Sequence, residues 1–100
     1  MKFTGIAKIE KLVAEYNIWE LKNCPYGKFK IKIYKSSEGV FNGYTDIQIA
    51  DELNNYYCAV GNGKTEEEAL KNTLEHYFEL ISIKKQWNEN DFNYLDFTEF

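Results

Sequence analysis

Arginine is absent from this chain, and all twelve of its basic residues are lysines. Arginine is the usual side chain for reading guanine and for holding a phosphate with two parallel hydrogen bonds, so its absence argues against specific nucleic-acid recognition. Only one histidine, His76, and two cysteines, Cys24 and Cys58, are present, without a Cys-x-x-Cys pair. We therefore expect no metal, no cofactor and no catalytic site, and free thiols in a reducing cytoplasm.

Long apolar runs are also missing, so the sequence predicts neither a membrane-spanning helix nor a secretory signal. The 44% of hydrophobic residues, with 17% aromatic residues, is too high for a disordered chain. A length of 100 residues is enough for one domain with a modest core.

Charge is divided unevenly along the chain. Residues 1–35 carry eight lysines and three glutamates, whereas residues 36–100 carry four lysines and thirteen acids, for a net charge of −4. This asymmetry predicts either binding faces of opposite sign or two surfaces that meet each other.

Apolar residues near the N-terminus recur at helical spacing. Ile6, Ile9, Val13 and Tyr16 are three or four residues apart, which predicts a first helix over residues 4–16. The competing prediction is a strand from Phe3 to Ile9.

The middle of the chain alternates as β-strands do. Residues 28–35 place Phe29, Ile31 and Ile33 on one face and three lysines on the other, and a turn follows at residues 36–39. Further strands are predicted near residues 44–50 and 56–60.

A glycine turn and a capped helix come next. Thr65 is the predicted N-cap, with Glu68 three residues later, and acids in the first turn suit the helix dipole. The helix is expected to end near Lys84 or Lys85. Its predicted buried residues are Leu70, Leu74, Tyr77, Phe78 and Ile81.

These elements predict an α+β fold in the order α-β-β-β-α: a three-stranded antiparallel sheet with two helices on one face. Residues 1–85 form the predicted domain, and residues 86–100 form an acidic, aromatic C-terminal extension.

The element order resembles the double-stranded-RNA-binding domain, with Pro25-Tyr26 before the first strand and Gly61-Asn62-Gly63 before the last helix. The resemblance implies lysines in the first helical turn that grip phosphate. Here that turn holds Glu66, Glu67 and Glu68, so we expect duplex RNA to bind weakly or not at all.

A local resemblance lies in the stretch from Gly63 to Asn72, Gly-Lys-Thr-Glu-Glu-Glu-Ala-Leu-Lys-Asn. It is similar to the partner-binding domain of HicB-type antitoxins, in which such a stretch opens a helix after a three-stranded sheet. That resemblance implies a protein partner.

The function predicted from these features is that of a small non-enzymatic inhibitor, antitoxin-like or phage anti-defence-like. It would block a nucleic-acid-processing enzyme encoded by the host or by a mobile element, and would act as a monomer or homodimer. Carboxylates among aromatic rings can imitate phosphates and bases, so the extension is the predicted partner site. Its rings are also predicted to pack on the domain, because five exposed aromatic residues would be a liability, and the two predictions are compatible. The predicted partner-binding residues are Asp91, Phe92, Tyr94, Asp96, Phe97 and Glu99.

The alternative function is binding of RNA or single-stranded nucleic acid through the lysine face of the first strand. The competing interpretation is that this is a solvated face on which lysines discourage edge pairing. The alternative site residues are Lys8, Lys11, Lys28, Lys30, Lys32 and Tyr34.

Overall fold

Five antiparallel strands and one long helix make up the part of the chain that the computed structural model describes, residues 4–84 and 86–95. The sheet order is β1-β2-β3-β4, and β5 pairs with β3. The elements are β1 (Glu10–Trp19), β2 (Lys28–Ser36), β3 (Phe41–Ala50), β4 (Tyr56–Gly63), α1 (Glu66–Ile81), a 3₁₀ turn (Glu89–Asp91) and β5 (Phe92–Tyr94).

The predicted three-stranded sheet with two helices is therefore wrong, and the error lies mainly in the first element. Residues 10–19 form β1, which pairs with β2 from Glu10 opposite Ser36 to Trp19 opposite Lys28. The register shifts between Leu12 and Ala14, and this bulge interrupts the strand alternation, which produces helix-like spacing in the sequence. The competing prediction, a strand over residues 3–9, is also wrong for the described residues 4–9, which precede β1.

The central hairpin is confirmed. Phe29, Ile31 and Ile33 of β2 are fully buried, as are the facing residues of β3, and the turn closes with a hydrogen bond from Gly39 N to Ser36 O at 3.0 Å. The alternation of apolar and polar residues predicts these strands correctly because one face of the hairpin meets the core and the other meets solvent.

Helix α1 lies directly on β4 because β4 carries glycine where the two approach. A Cβ added to Gly61 would stand 2.3 Å from Thr73 N, so no side chain fits there. Below this contact the rings of Tyr77 and Phe29 stack with centroids 4.4 Å apart. The core is thus centred between α1, β2 and β3.

The Thr65 N-cap is confirmed, since its side chain accepts a hydrogen bond from Glu68 N at 3.1 Å. The predicted buried face of the helix is partly wrong. Tyr77 and Ile81 are buried together with Ala69 and Thr73, whereas Phe78 is 52% exposed. The glycines of the sheet bring the helix so close that its small residues face inward.

The segment after α1 returns to the sheet. Phe92 lies opposite Ile49 and Tyr94 opposite Ile47, so residues predicted to lie in an extension outside the domain complete its sheet. β2 and β3 pair no further than Ile31 opposite Thr45, and β5 occupies the place beside β3 beyond that point. Residue 85 and residues 96–100 lie outside the described residues.

Across the described ranges, no helix combines the length and the apolar character needed to span a membrane.

Candidate functional site

The three described residues of the predicted C-terminal partner site, Asp91, Phe92 and Tyr94, are engaged inside the fold. The Asp91 carboxylate accepts hydrogen bonds from Lys84 Nζ at 2.8 Å and from Asn88 N at 3.0 Å. The Lys84 ammonium holds the pKa of this carboxyl below its usual value. The Phe92 ring is buried against Trp87, with centroids 5.4 Å apart. These contacts anchor β5, so the two side chains are not presented to a partner.

Tyr94 has a similar role at the end of β5. Its hydroxyl donates to Lys28 O at 2.9 Å and lies 2.7 Å from Cys24 Sγ, which joins β5 to the start of β2. The remaining predicted partner-binding residues, Asp96, Phe97 and Glu99, lie outside the described residues.

The predicted lysine face is the solvent-facing side of the sheet. Lys28 lies over the Trp19 ring, 5.1 Å from its centroid, and Tyr34 contacts Tyr44 edge-on at 5.8 Å. Lys30 occupies the next outward position along β2, and its backbone N–H donates to the Asp46 carboxylate at 2.8 Å. We call Lys28, Lys30 and Lys32 the lysine ladder. The structure places the ladder on one face of the sheet and sets the Trp19 ring beside Lys28.

Acids share this face with the lysines. Glu15 lies opposite Lys32 in the β1–β2 register, and Lys8 pairs with Glu10 at 3.2 Å. Lys11 lies opposite Lys35, in a row that alternates with the ladder and so faces the other side of the sheet. The face is mixed in charge, which weakens its attraction for a phosphate backbone.

One flank of α1 is bonded to the free edge of β4. His76 Nδ1 lies 2.9 Å from Val60 N and 3.1 Å from Val60 O, and Asn72 Nδ2 donates to Asn62 O at 2.7 Å. These side chains occupy backbone groups that would otherwise be open to another strand. His76 therefore has a structural role at the sheet edge.

The other flank of α1 carries large apolar side chains that the core covers only in part. Leu70 and Leu74 are half-buried, and Phe78 is 52% exposed with its ring edge-on to Tyr77 at 5.2 Å. We call these three residues the apolar stripe. They line a shallow groove of about 750 Å³ that runs along the helix from Glu67 to Ser82.

Charged residues border the apolar stripe. Glu67, Glu75 and Glu79 line the same groove as Lys71, so three carboxylates and one ammonium give the border a net charge of −2. The ammonium is itself engaged, since Lys71 Nζ lies 3.8 Å from Glu75 Oε1 in an exposed pair. The groove thus combines an apolar floor with acidic sides.

Sequence reasoning found the residues of this stripe but assigned them to the core. Spacings of four residues identify a helix face, and they do not say whether the sheet or solvent lies opposite it. The signal that could have separated the two faces is the pairing of small helix residues, Ala69 and Thr73, with the glycines of the preceding strand.

Comparison with family models, with curated proteins and with solved structures gives no match to this chain. The two family resemblances noted above stay predictions, and function is argued from the surface of α1.

Proposed function

We propose that this protein acts by binding another protein and carries out no catalysis of its own. The observation that supports the proposal is the apolar stripe, in which Phe78 is 52% exposed and Leu70 and Leu74 are only partly buried against the core. Exposed apolar patches with a polar border are typical of protein docking surfaces. The docking surface proposed here lies on α1 instead of on the C-terminal segment, in which Phe92–Tyr94 pair with β3.

We further propose that the bound partner is an enzyme that processes nucleic acid, and that binding inhibits it. Such enzymes hold phosphate backbones with basic surfaces. An acidic border of net charge −2 is complementary to a surface of that kind. The action is that of an antitoxin-like or anti-defence inhibitor.

The test is capture from the native host with and without nuclease, followed by work on the purified partner. Wild type is compared with Phe78→Asp, which places a charge in the apolar stripe. Leu53→Asp is the matched control, because Leu53 is 81% exposed in the loop between β3 and β4. Calorimetry then measures affinity for the recovered protein, and the enzyme activity of that protein is assayed with and without wild type.

The proposal predicts a nuclease-resistant partner whose activity falls when wild type is added, and whose binding survives Leu53→Asp but not Phe78→Asp. Equal binding by both variants would remove the apolar stripe from the interface. Recovery of nucleic acid alone would overturn the protein-binding function.

The second candidate function, single-strand nucleic-acid binding, is favoured by one observation. Trp19 is 69% exposed beside Lys28 on the outer sheet face, a combination that can stack a base and hold a phosphate. Fluorescence anisotropy with a labelled oligonucleotide tests it. Binding that is lost in Trp19→Ala and weakened by salt would support this function, and no binding at micromolar protein would reject it.

A further inference from the structure

We infer that the occupant of the apolar stripe is an amphipathic helix of the partner whose apolar face is bordered by lysine or arginine. The inference rests on the proposed function, since it specifies the partner for the same surface. Three properties of the groove carry it: its shape, its length and its charge.

The shape of the groove favours a helix over an extended segment. Leu70, Leu74 and Phe78 are spaced by four residues, and rows of this spacing form the ridges that interlock with a second helix. An extended segment gains affinity mainly by adding a strand to unpaired backbone groups. The groove is lined by residues of α1, and the backbone groups along its middle are already used within the helix.

The length of the groove sets the length of the partner helix. From Glu67 to Ser82 the helix rises by about 22 Å at about 1.5 Å per residue. An occupant that covers the whole groove needs about 15 residues in four turns. Its apolar side chains should recur every three or four residues.

The charge of the groove sets the border of the partner helix. Glu67 and Glu79 make no ion pair within residues 4–84 and 86–95, and Lys71 is opposed by Glu75. A basic border on the occupant would pair with these carboxylates, whereas an acidic border would meet like charge. The inference therefore excludes an acidic helix and a second copy of α1 as occupants.

The experiment uses a yeast-displayed library of 15-residue amphipathic helices. Apolar positions are kept as leucine or phenylalanine, and the border positions vary among lysine, arginine, glutamate, aspartate, serine and glutamine. The library is selected on the full chain and counter-selected on Phe78→Asp. Selected peptides are then synthesised, their helicity on binding is measured by circular dichroism, and their affinity is measured by fluorescence anisotropy.

We expect selected helices to be enriched in lysine and arginine at the border. Their affinity should fall by about two- to twentyfold in Glu67→Gln/Glu79→Gln, with a weaker dependence on salt. The control is Glu38→Gln/Glu52→Gln, which changes net charge equally at two exposed acids away from α1 and should bind as wild type.

Four results would overturn the inference. Binders without basic enrichment, or equal affinity in the two double variants, would refute the basic border. Binders that stay extended, or a library without any Phe78-dependent binder, would refute the helix. The proposed function is tested by a different experiment, because capture of the native partner by Phe78→Asp and Leu53→Asp uses no peptide. Failure of the peptide selection and failure of the proposed function can therefore be told apart.

Discussion

Helix α1 has two flanks, and they differ in both chemistry and surroundings. Along one flank, Asn72 and His76 hydrogen-bond the backbone of β4 at Asn62 and Val60. Along the other, the leucine and phenylalanine side chains of the apolar stripe face a groove that the described chain leaves open. The polar flank is hydrogen-bonded to the sheet, whereas the apolar flank is only partly covered by the core.

This difference follows from the close approach of α1 to β4. Gly61 leaves no space for a large residue beneath the helix, so the fully buried positions facing it are the small Ala69 and Thr73. Tyr77 fills the wider space above Phe29. Large apolar residues on the open flank contribute less to the core than their type suggests, and this is why we assign them to binding.

The largest effect we predict separates two adjacent aromatic residues of α1. Tyr77→Ala should lower the free energy of unfolding by about 3–5 kcal/mol, because the ring is fully buried. Phe78→Ala should lower it by about 1 kcal/mol or less, because about half of that side chain is already in water. Urea denaturation of both variants measures the contrast, and equal losses would mean that the apolar stripe belongs to the core.

The next prediction concerns the contact beneath the helix. Gly61→Ala should cost about 1–3 kcal/mol or more, because the added Cβ meets the backbone of Thr73 and the helix must move away from β4. Val60→Ala is the control on the same strand, with an expected cost of about 1 kcal/mol or less at an exposed position. A harmless Gly61→Ala in thermal and urea unfolding would show that α1 is not seated on this glycine.

A smaller effect is expected from the bonded flank. Asn72→Ala and His76→Ala should each cost about 0.5–1.5 kcal/mol, the usual net contribution of one hydrogen bond. Both should also speed hydrogen exchange at residues 60–62, measured by mass spectrometry. Glu75→Ala, on the exposed side of the same helix, should change neither quantity, and an equal response from it would argue against edge protection by these two side chains.

The smallest predicted effect is that of the Tyr77 hydroxyl. It has no hydrogen-bond partner among the described residues, and burial raises the pKa of Tyr77 above its usual value. Tyr77→Phe keeps the stack on Phe29 and removes a buried polar group, so stability should stay within about 0.5 kcal/mol or rise by up to about 1 kcal/mol. A loss above about 1 kcal/mol would reveal a partner for the hydroxyl.

Local features were predictable where a single pattern had one physical cause. Alternation identified the buried face of β2 through Phe29, Ile31 and Ile33, and the cap at Thr65 followed from its side chain and the acids after it. β1 was not predictable in this way, because its bulge breaks the alternation that marks a strand. β5 was missed because three residues are too short to show a period.

The residues of the candidate site could be identified from the sequence, but their position at the surface could not. Leu70, Leu74 and Phe78 were identified as an apolar helical face, and the structure turns that face partly away from the sheet. For the C-terminal segment, packing on the domain and partner binding were both predicted. Phe92 packs in the core, and the sequence did not show that it does so as part of a fifth strand.

The sequence by itself determined the hairpin, the capped helix and the absence of arginine, because each depends on neighbouring residues or on composition alone. Only the tertiary structure decided the number of strands, the return of β5 to β3 and the face of α1 that meets the sheet. These features depend on contacts between residues distant in the chain, such as Gly61 against Thr73 and Ile49 opposite Phe92. Such contacts depend on how well whole surfaces pack together, and this packing leaves no periodic pattern in the local sequence.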